Sequence, residues 1–202
     1  MTVDEQTIAF YEGHPEDYFS ATVSSDLSGV YRRFLTYIPR GGFILDAGCG
    51  VGRDSSYFVS QGYDVTAFDP SPAMAVRCRD YAGVPVSIDS FSSFKSNRTF
   101  DGIWACASLL HMPADELPVT LKRLVSFLKP EGIIFASFRY GQGSHRDTDG
   151  RFFTDMDETQ AKCVVSDVKD LELVELWCST ARNAAGTTLK WLNLIARRAK
   201  GA

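Results

Sequence analysis

Short apolar runs alternate with longer stretches of helical spacing between Phe43 and Phe138. Phe43-Ile-Leu-Asp46 is a brief apolar run that ends in glycines, and Arg53 to Gln61 then reads as a helix closed by Gly62. Tyr63-Asp-Val-Thr-Ala-Phe68 has the β-branched and aromatic content of a second strand. Ser71 to Tyr81 reads as a helix, with a proline in its first turn where the missing N–H costs nothing. Val84-Pro-Val-Ser-Ile88 and Phe100-Asp-Gly-Ile-Trp-Ala-Cys106 supply strands three and four. Leu117, Leu121, Leu124, Val125 and Leu128 recur at helical spacing on one apolar face, stopped by Lys129-Pro-Glu-Gly132. Ile133 to Phe138 is the fifth strand. Regular alternation of strand and helix predicts an α/β fold with a mostly parallel sheet covered on both faces.

The two ends break this rhythm. Residues 1–38 look mostly helical, with Ile8, Phe10, Tyr11, Tyr18 and Phe19 in front and Val30 to Ile38 behind. After Phe138 a polar, glycine-rich loop runs to about Arg151, and Met156 to Val165 reads as a helix. Glu172–Trp177 and Leu189–Ile195 alternate as strands do, and a Gly186-Thr-Thr joint between them suggests an antiparallel hairpin at the sheet edge. Trp177 and Trp191 read as core or edge packing.

Composition narrows the class without naming a chemistry. With 202 residues, 45% hydrophobic and 23% charged, the chain is expected to form a single domain over 1–202, with 1–38 as a helical lid and 39–202 as the core. The net charge of -4 gives no basic excess for general attraction to nucleic acid or a membrane surface. No stretch approaches the roughly 18–20 apolar residues of a membrane span. The first residues carry no secretory signal, so a cytoplasmic location is expected. Five cysteines stand singly, with no C-x-x-C pair and no Cys/His cluster, so reduced thiols and no metal are expected.

The chemistry sits where the first strand ends. Asp46-Ala-Gly48-Cys49-Gly50-Val-Gly52-Arg53-Asp54 runs an apolar strand through D-x-G-x-G-x-G into a helix. Alternate glycines let the backbone approach a ligand without a Cβ in the way. The helix that follows turns its free N–H groups toward the same place. Asp69 ends the next strand, where a carboxylate accepts two hydrogen bonds from a ribose diol. The third glycine comes one residue earlier than in a dinucleotide fingerprint, and Asp46 would repel a pyrophosphate. A cationic nucleoside, S-adenosylmethionine, suits that acid better.

Asp46-Ala-Gly-Cys-Gly-Val-Gly52 resembles the first motif of class I S-adenosylmethionine-dependent methyltransferases. Thr66-Ala-Phe-Asp69-Pro70-Ser71 is similar to their second motif and Asp89-Ser90-Phe91 to their third. Phe100-Asp-Gly-Ile-Trp-Ala-Cys106-Ala107-Ser108-Leu-Leu-His111-Met-Pro is similar to the fourth, and Leu128-Lys-Pro-Glu-Gly-Ile-Ile134 to the segment entering strand five. The resemblance covers roughly residues 35–140 in order. It implies a Rossmann-like sheet of seven strands in the order 3-2-1-4-5-7-6, strand seven antiparallel. Gly52-Arg-Asp54 and Leu-Leu-His-Met-Pro give a narrower likeness to small bacterial enzymes of the tellurite-resistance type.

The resemblance, laid on these residues, yields a candidate site. Gly48, Cys49, Gly50 and Gly52 would pass close to the cofactor, with Asp69, Pro70 and Ser71 at its ribose and Asp89, Ser90 and Phe91 at its adenine. Asp46 would meet the methionyl amine, directly or through water, unless it is only a solvated strand end. Arg53 would stand at the pocket rim, Cys106, Ala107 and Ser108 beside the methyl group, and Tyr18 over the cofactor. Asp54 would favour the helix dipole. The acceptor side would take Tyr11, His111, Arg139, Tyr140 and Arg151, the arginines holding an anionic group. His111 is a weak candidate for a general base, and no residue is compelling as one.

The reaction expected is in-line methyl transfer to a small molecule, driven by proximity and orientation. S-Adenosylhomocysteine would be the product, and the protein a monomer or homodimer. Two other readings stand beside it. One is a non-catalytic S-adenosylmethionine-binding regulator; the other is a nicotinamide-dependent oxidoreductase, disfavoured by the glycine spacing. A nucleic-acid methyltransferase is disfavoured too, because Cys106-Ala-Ser-Leu stands where an Asn/Asp-Pro-Pro-Tyr/Phe segment would be needed.

Overall fold

The computed structural model describes residues 4–182 and 187–201 and gathers the strand-forming runs into one seven-stranded sheet. Its strands are β1 (Phe43–Ala47), β2 (Asp64–Asp69), β3 (Val86–Ile88), β4 (Phe100–Ala105), β5 (Leu128–Arg139), β8 (Leu171–Arg182) and β9 (Thr188–Arg198). They lie in the order β3-β2-β1-β4-β5-β9-β8. The pairs from β3 to β5 are parallel, whereas β9 runs antiparallel to both β5 and β8. The order matches the expected 3-2-1-4-5-7-6, because a separate ribbon takes the labels between. That ribbon, β6 (Ser144–Arg146) with β7 (Phe152–Thr154), is antiparallel and corrects the expectation of an unstructured loop from Phe138 to Arg151.

Period-two alternation sends successive side chains of each central strand to opposite faces. On β4, Ile103 joins one buried cluster and Trp104 the other; on β5, Ile134 and Ala136 face one way, Ile133 and Phe135 the opposite way. Helix α6 (Leu117–Val125) and helix α7 (Glu158–Ser166) cover the first face with Leu117, Leu121, Leu124, Ala161 and Val165. Helices α3 (Ser28–Leu35), α4 (Arg53–Ser60) and α5 (Pro72–Ala82) cover the second through Phe34, Phe58 and Cys78. Its centre is aromatic: Trp104 stacks on Phe135 at 4.0 Å, and Phe34 and Phe58 meet it edge-on at 5.1 and 5.2 Å.

Several boundaries move for local reasons. The helix expected from Met156 starts at Glu158, because Asp157 forms a capping box with Gln160. Leu128 continues the apolar spacing of α6 yet belongs to β5, since the helix ends at Val125. The front of the chain forms α1 (Glu5–Gly13), capped by Asp4, and α2 (Pro15–Thr22), which begins at a proline. Helix α3 departs from the lid expected over 1–38, because Val30, Tyr31 and Phe34 are buried against the sheet. Trp177 and Trp191 are half-buried against the clusters, as packing residues. β8 and β9 form the expected hairpin; Gly186 of its proposed joint lies outside the described residues. Among the described residues no helix is long and apolar enough to cross a membrane.

Phe34 is fully buried between Phe58, Trp104 and Phe135. Phe34→Ala should therefore lower stability by about 3–5 kcal/mol, measured by urea denaturation.

Candidate functional site

The carboxyl ends of β1, β2 and β4 open into a cavity that α1 and α2 cover. Its floor is the turn after β1. Gly48 has φ +80, and a Cβ there would stand 2.6 Å from the Cβ of Ser108. Gly52 has φ +86, and a Cβ there would meet Cys78 at 2.9 Å. Both conformations favour glycine, so the turn lies flat on its neighbours. Gly50 faces the covering helices; its Cβ would stand 3.6 Å from Tyr18. The turn is tied to β2, since the amides of Gly48 and Cys49 both donate to the Phe68 carbonyl.

Asp69 forms the next wall. One carboxylate oxygen accepts from the Gly50 amide at 2.8 Å, the other from the Ser71 amide at 3.0 Å. Each oxygen keeps a lone pair for a ligand hydroxyl. Burial pushes the carboxyl up to about 6 against those two bonds. Pro70 and Ser71 continue the wall, and Phe91 closes this end, edge-on to Phe68 at 5.5 Å.

Opposite them the turn after β4 is held as firmly. Ala107 takes φ +50, uncommon for a residue with a side chain, while its amide donates to Ser137 Oγ at 2.8 Å. Ser108 Oγ donates to the Ala47 carbonyl at 2.7 Å, joining this turn to β1. Cys106 lines the cavity as a neutral thiol, its pKa pushed up to about 12 by burial and by the nearby Asp54.

Arg53 and Asp54 open α4 side by side in the cavity wall. Asp54 accepts Arg53 through two bonds of 2.5 and 2.9 Å, Tyr31 Oη at 2.5 Å and Trp104 Nε1 at 2.7 Å. Burial pushes its carboxyl up, but the guanidinium and these donors prevail and hold it below the usual range. The helix-dipole role expected of Asp54 is therefore the smaller part of its work. Arg53 also reaches the sulfur of Cys106 at 3.7 Å.

The covering helices supply the third side. Thr7, Ile8 and Tyr11 come from one face of α1, Tyr18 and Thr22 from α2. Tyr11 meets Tyr18 edge-on at 5.2 Å. His111 and Met112 complete this side from the segment after β4.

Of the residues singled out by sequence, the cavity gathers Gly48, Cys49, Gly50, Arg53, Asp69, Pro70, Ser71, Phe91, Cys106, Ala107, Ser108, Tyr18, Tyr11 and His111. Others require correction. Asp46 is buried behind the turn, where it accepts Ser55 Oγ at 2.6 Å, so direct contact with an amine is not its geometry. Gly52 shapes the turn from beneath, against Cys78. Asp89 accepts Ser93 Oγ at 2.8 Å and the Ser90 amide donates to the same oxygen at 2.9 Å, so neither lines the cavity.

Arg139 also lies outside it, paired with Asp147 at 3.0 Å and stacked on Phe153 at 3.5 Å. Tyr140 donates to Glu158 at 2.9 Å beneath the Lys190 ammonium, away from the cavity. Arg151 stands one layer back, paired with Asp149 at 2.6 Å and 3.4 Å from Tyr11 Oη. Sequence reasoning missed Thr7, Ile8, Thr22, Val51, Met74 and Met112. The spacing of 7, 8 and 11, and of 18 and 22, was the available signal: each set shares one helix face.

A family model described as a methyltransferase domain matches residues 19–173. Over 106 residues the chain is 29% identical to 2-methyl-6-phytyl-1,4-hydroquinone methyltransferase of Synechocystis sp., a match covering 50% of this chain. It spans only 33% of that relative. A Burkholderia thailandensis 1,6-didemethyltoxoflavin-N1-methyltransferase, solved with 1,6-didemethyltoxoflavin and S-adenosylhomocysteine bound, superposes with a TM-score of 0.76 at 21% identity, covering 96% of this chain and 85% of that one. TehB from Haemophilus influenzae superposes with a TM-score of 0.67 at 19% identity, covering 91% of this chain and 67% of that one.

Asp54→Asn would leave the half-buried Arg53 guanidinium without a counter-charge. A loss of about 3 kcal/mol in urea denaturation is expected, with Cys106 becoming more reactive to thiol reagents as the wall loosens.

Proposed function

Because the chain belongs to the class I S-adenosylmethionine-dependent methyltransferases, we propose that the cavity between the β1 turn, Asp69 and the covering helices binds that cofactor beside an uncharged aromatic small molecule. The observation that carries this reading is the pairing of a side-chain-free turn at Gly48 and Gly50 with the two-fold anchored carboxylate of Asp69. The residues present fit the group. Asp69 has lone pairs for a ribose diol, Phe91 offers an apolar wall for a base, and Arg53 offers a guanidinium for the cofactor's carboxylate. Asp46 stays behind the turn, where burial and the neighbouring Asp54 push its carboxyl up toward the neutral form, so its part is to hold Ser55 and the turn rather than to supply charge. When bound, the cofactor supplies a methyl group on a sulfonium whose departure leaves a neutral thioether.

With so good a leaving group, the protein's work is alignment and exclusion of water. The turns at Gly48 and Ala107–Ser108 fix one partner, while Tyr11, Tyr18, Ile8 and Met112 enclose the other. Among the described residues the strand-five loop brings no uncompensated cation to that enclosed side: Arg139 pairs with Asp147, and Arg151, which also reaches Tyr11 Oη at 3.4 Å, pairs with Asp149. This favours a neutral planar acceptor over the anionic one those arginines suggest in sequence. The Burkholderia neighbour of the same fold was solved with both 1,6-didemethyltoxoflavin and S-adenosylhomocysteine bound. The narrower likeness to tellurite-resistance-type enzymes has no support beyond the shared fold.

Two measurements test the reading. Asp69→Ala should weaken S-adenosylhomocysteine binding in calorimetry by about 1.5–3 kcal/mol, the worth of hydrogen bonds to a charged group. Unchanged affinity would remove the ribose assignment, and binding of NADH instead would point to a dehydrogenase. Hydroxyl donors favour the ionised carboxylate, so binding should lower the Asp69 pKa from about 6 and release protons. Affinity should accordingly weaken as pH falls through about 6, and proton release, read in buffers of different ionisation enthalpy, should vanish well above it.

A further inference from the structure

Tyr11 and His111 meet across the covered side of the cavity, and both line it. Tyr11 Oη lies 2.9 Å from His111 Nε2, and His111 Nδ1 lies 2.6 Å from the Phe152 carbonyl. A carbonyl only accepts, so Nδ1 carries the imidazole proton. Nε2 is then an acceptor, and the hydrogen between the two rings belongs to Tyr11. Arg151 Nη1 approaches Tyr11 Oη at 3.4 Å, which leaves the phenol oxygen a second lone pair for a bound molecule. The chain phenol, imidazole, carbonyl is built from three separated elements: α1, the segment after β4, and β7. Packing holds it together, since His111 rests on Phe153 at 4.8 Å and Thr7 Oγ1 accepts the Phe152 amide at 2.9 Å.

Resting on the cofactor reading above, we infer that Tyr11 takes the proton of the methyl acceptor and passes its own to His111, and that the acceptor is a neutral O–H or heteroaryl N–H compound. As the acceptor atom bonds the methyl carbon, the pair of the carbon–sulfur bond stays on sulfur and the pair of the X–H bond stays on X. The released proton goes to Tyr11 Oη, the Tyr11 proton to His111 Nε2, and the imidazolium keeps its Nδ1–H on the Phe152 carbonyl. One positive charge enters the step on sulfur and one leaves it on His111, so the step balances.

The charges around the ring define which acceptors qualify. Burial, then the positive charges of Arg151 and Arg139, hold His111 down to about 4, opposed by the Phe152 carbonyl and the more distant Asp4. Such a weak base accepts a proton only from an atom made strongly acidic by methylation. A hydroxyl or heteroaryl nitrogen meets that condition; an aliphatic amine, whose methylated ammonium keeps its proton, does not.

The test uses S-adenosylhomocysteine binding, the ¹⁵N resonance of His111 Nε2, and methylation of 2-naphthol, thiophenol and benzylamine at pH 8. The expected result has wild type and Tyr11→Phe binding S-adenosylhomocysteine alike, with the Nε2 resonance moving in the variant as its donor is lost. Methylation of 2-naphthol should fall by about 100-fold or more in Tyr11→Phe and in His111→Gln, and no further in the double variant. Thiophenol, already a thiolate, should be methylated nearly as before, and benzylamine not at all. Equal losses on 2-naphthol and thiophenol would show a merely structural role and overturn the inference. So would a wild type that binds S-adenosylhomocysteine but leaves 2-naphthol unmethylated. A wild type that fails to bind S-adenosylhomocysteine overturns the cofactor reading beneath it instead.

Discussion

A carboxylate cannot stay ionised out of water unless donors surround it, and Asp54 is the point at which this chain meets that demand. Its four hydrogen bonds come from Arg53, Tyr31 and Trp104, on α4, α3 and β4. Satisfying one charge thus fastens a helix from the front of the chain to the sheet and aims a guanidinium along the cavity wall. It also explains why Tyr31 and Trp104 carry polar atoms into an otherwise apolar cluster: each ends on the same acceptor.

A second constraint is closeness. The β1 turn and the β4 turn approach until no side chain fits at Gly48, and Ser108 closes the joint by donating to Ala47. Polar groups nearby are consequently used up by backbone partners, as with Ser137 on the Ala107 amide. The outer face of Asp69 and the guanidinium edge of Arg53 stay available in this part of the wall, opposite the Tyr11–His111 pair on the covered side.

The covering helix α1 is pinned at both of its ends. Asp4 pairs with Arg146 at 2.8 Å on the β6–β7 ribbon, which together with the Thr7 bonds holds its carboxyl far below the usual range. Glu12 accepts Ser71 Oγ at 2.6 Å and the Ala73 amide at 2.9 Å at the start of α5. One attachment is to the acceptor side and the other to the nucleoside side, so the position of Tyr11 is set by both. That double fastening gives the phenol–imidazole contact its geometry, although neither ring is on the sheet.

Local signals were strong wherever the backbone itself was constrained. Glycine spacing, the acid ending β2, the short apolar runs of β4 and β5, and the proline and glycine stops indicated the parallel sheet and the floor of the cavity, while the strand order followed from the family resemblance. Those features act over a few residues and therefore leave a readable pattern. Side-chain partnerships across the fold leave none. Asp46 and Asp69 look alike in sequence, yet one is enclosed behind a turn and the other faces the cavity. Arg139 and Arg151 look like substrate clamps until Asp147 and Asp149 are seen to neutralise them. Tyr11 and His111, a hundred residues apart, become a pair only when α1 is laid across the sheet. Sequence by itself decided the fold and the nucleoside end of the site, through backbone requirements that are local; tertiary structure alone decided which charges remain free and which rings touch, because those depend on distances that no spacing along the chain encodes.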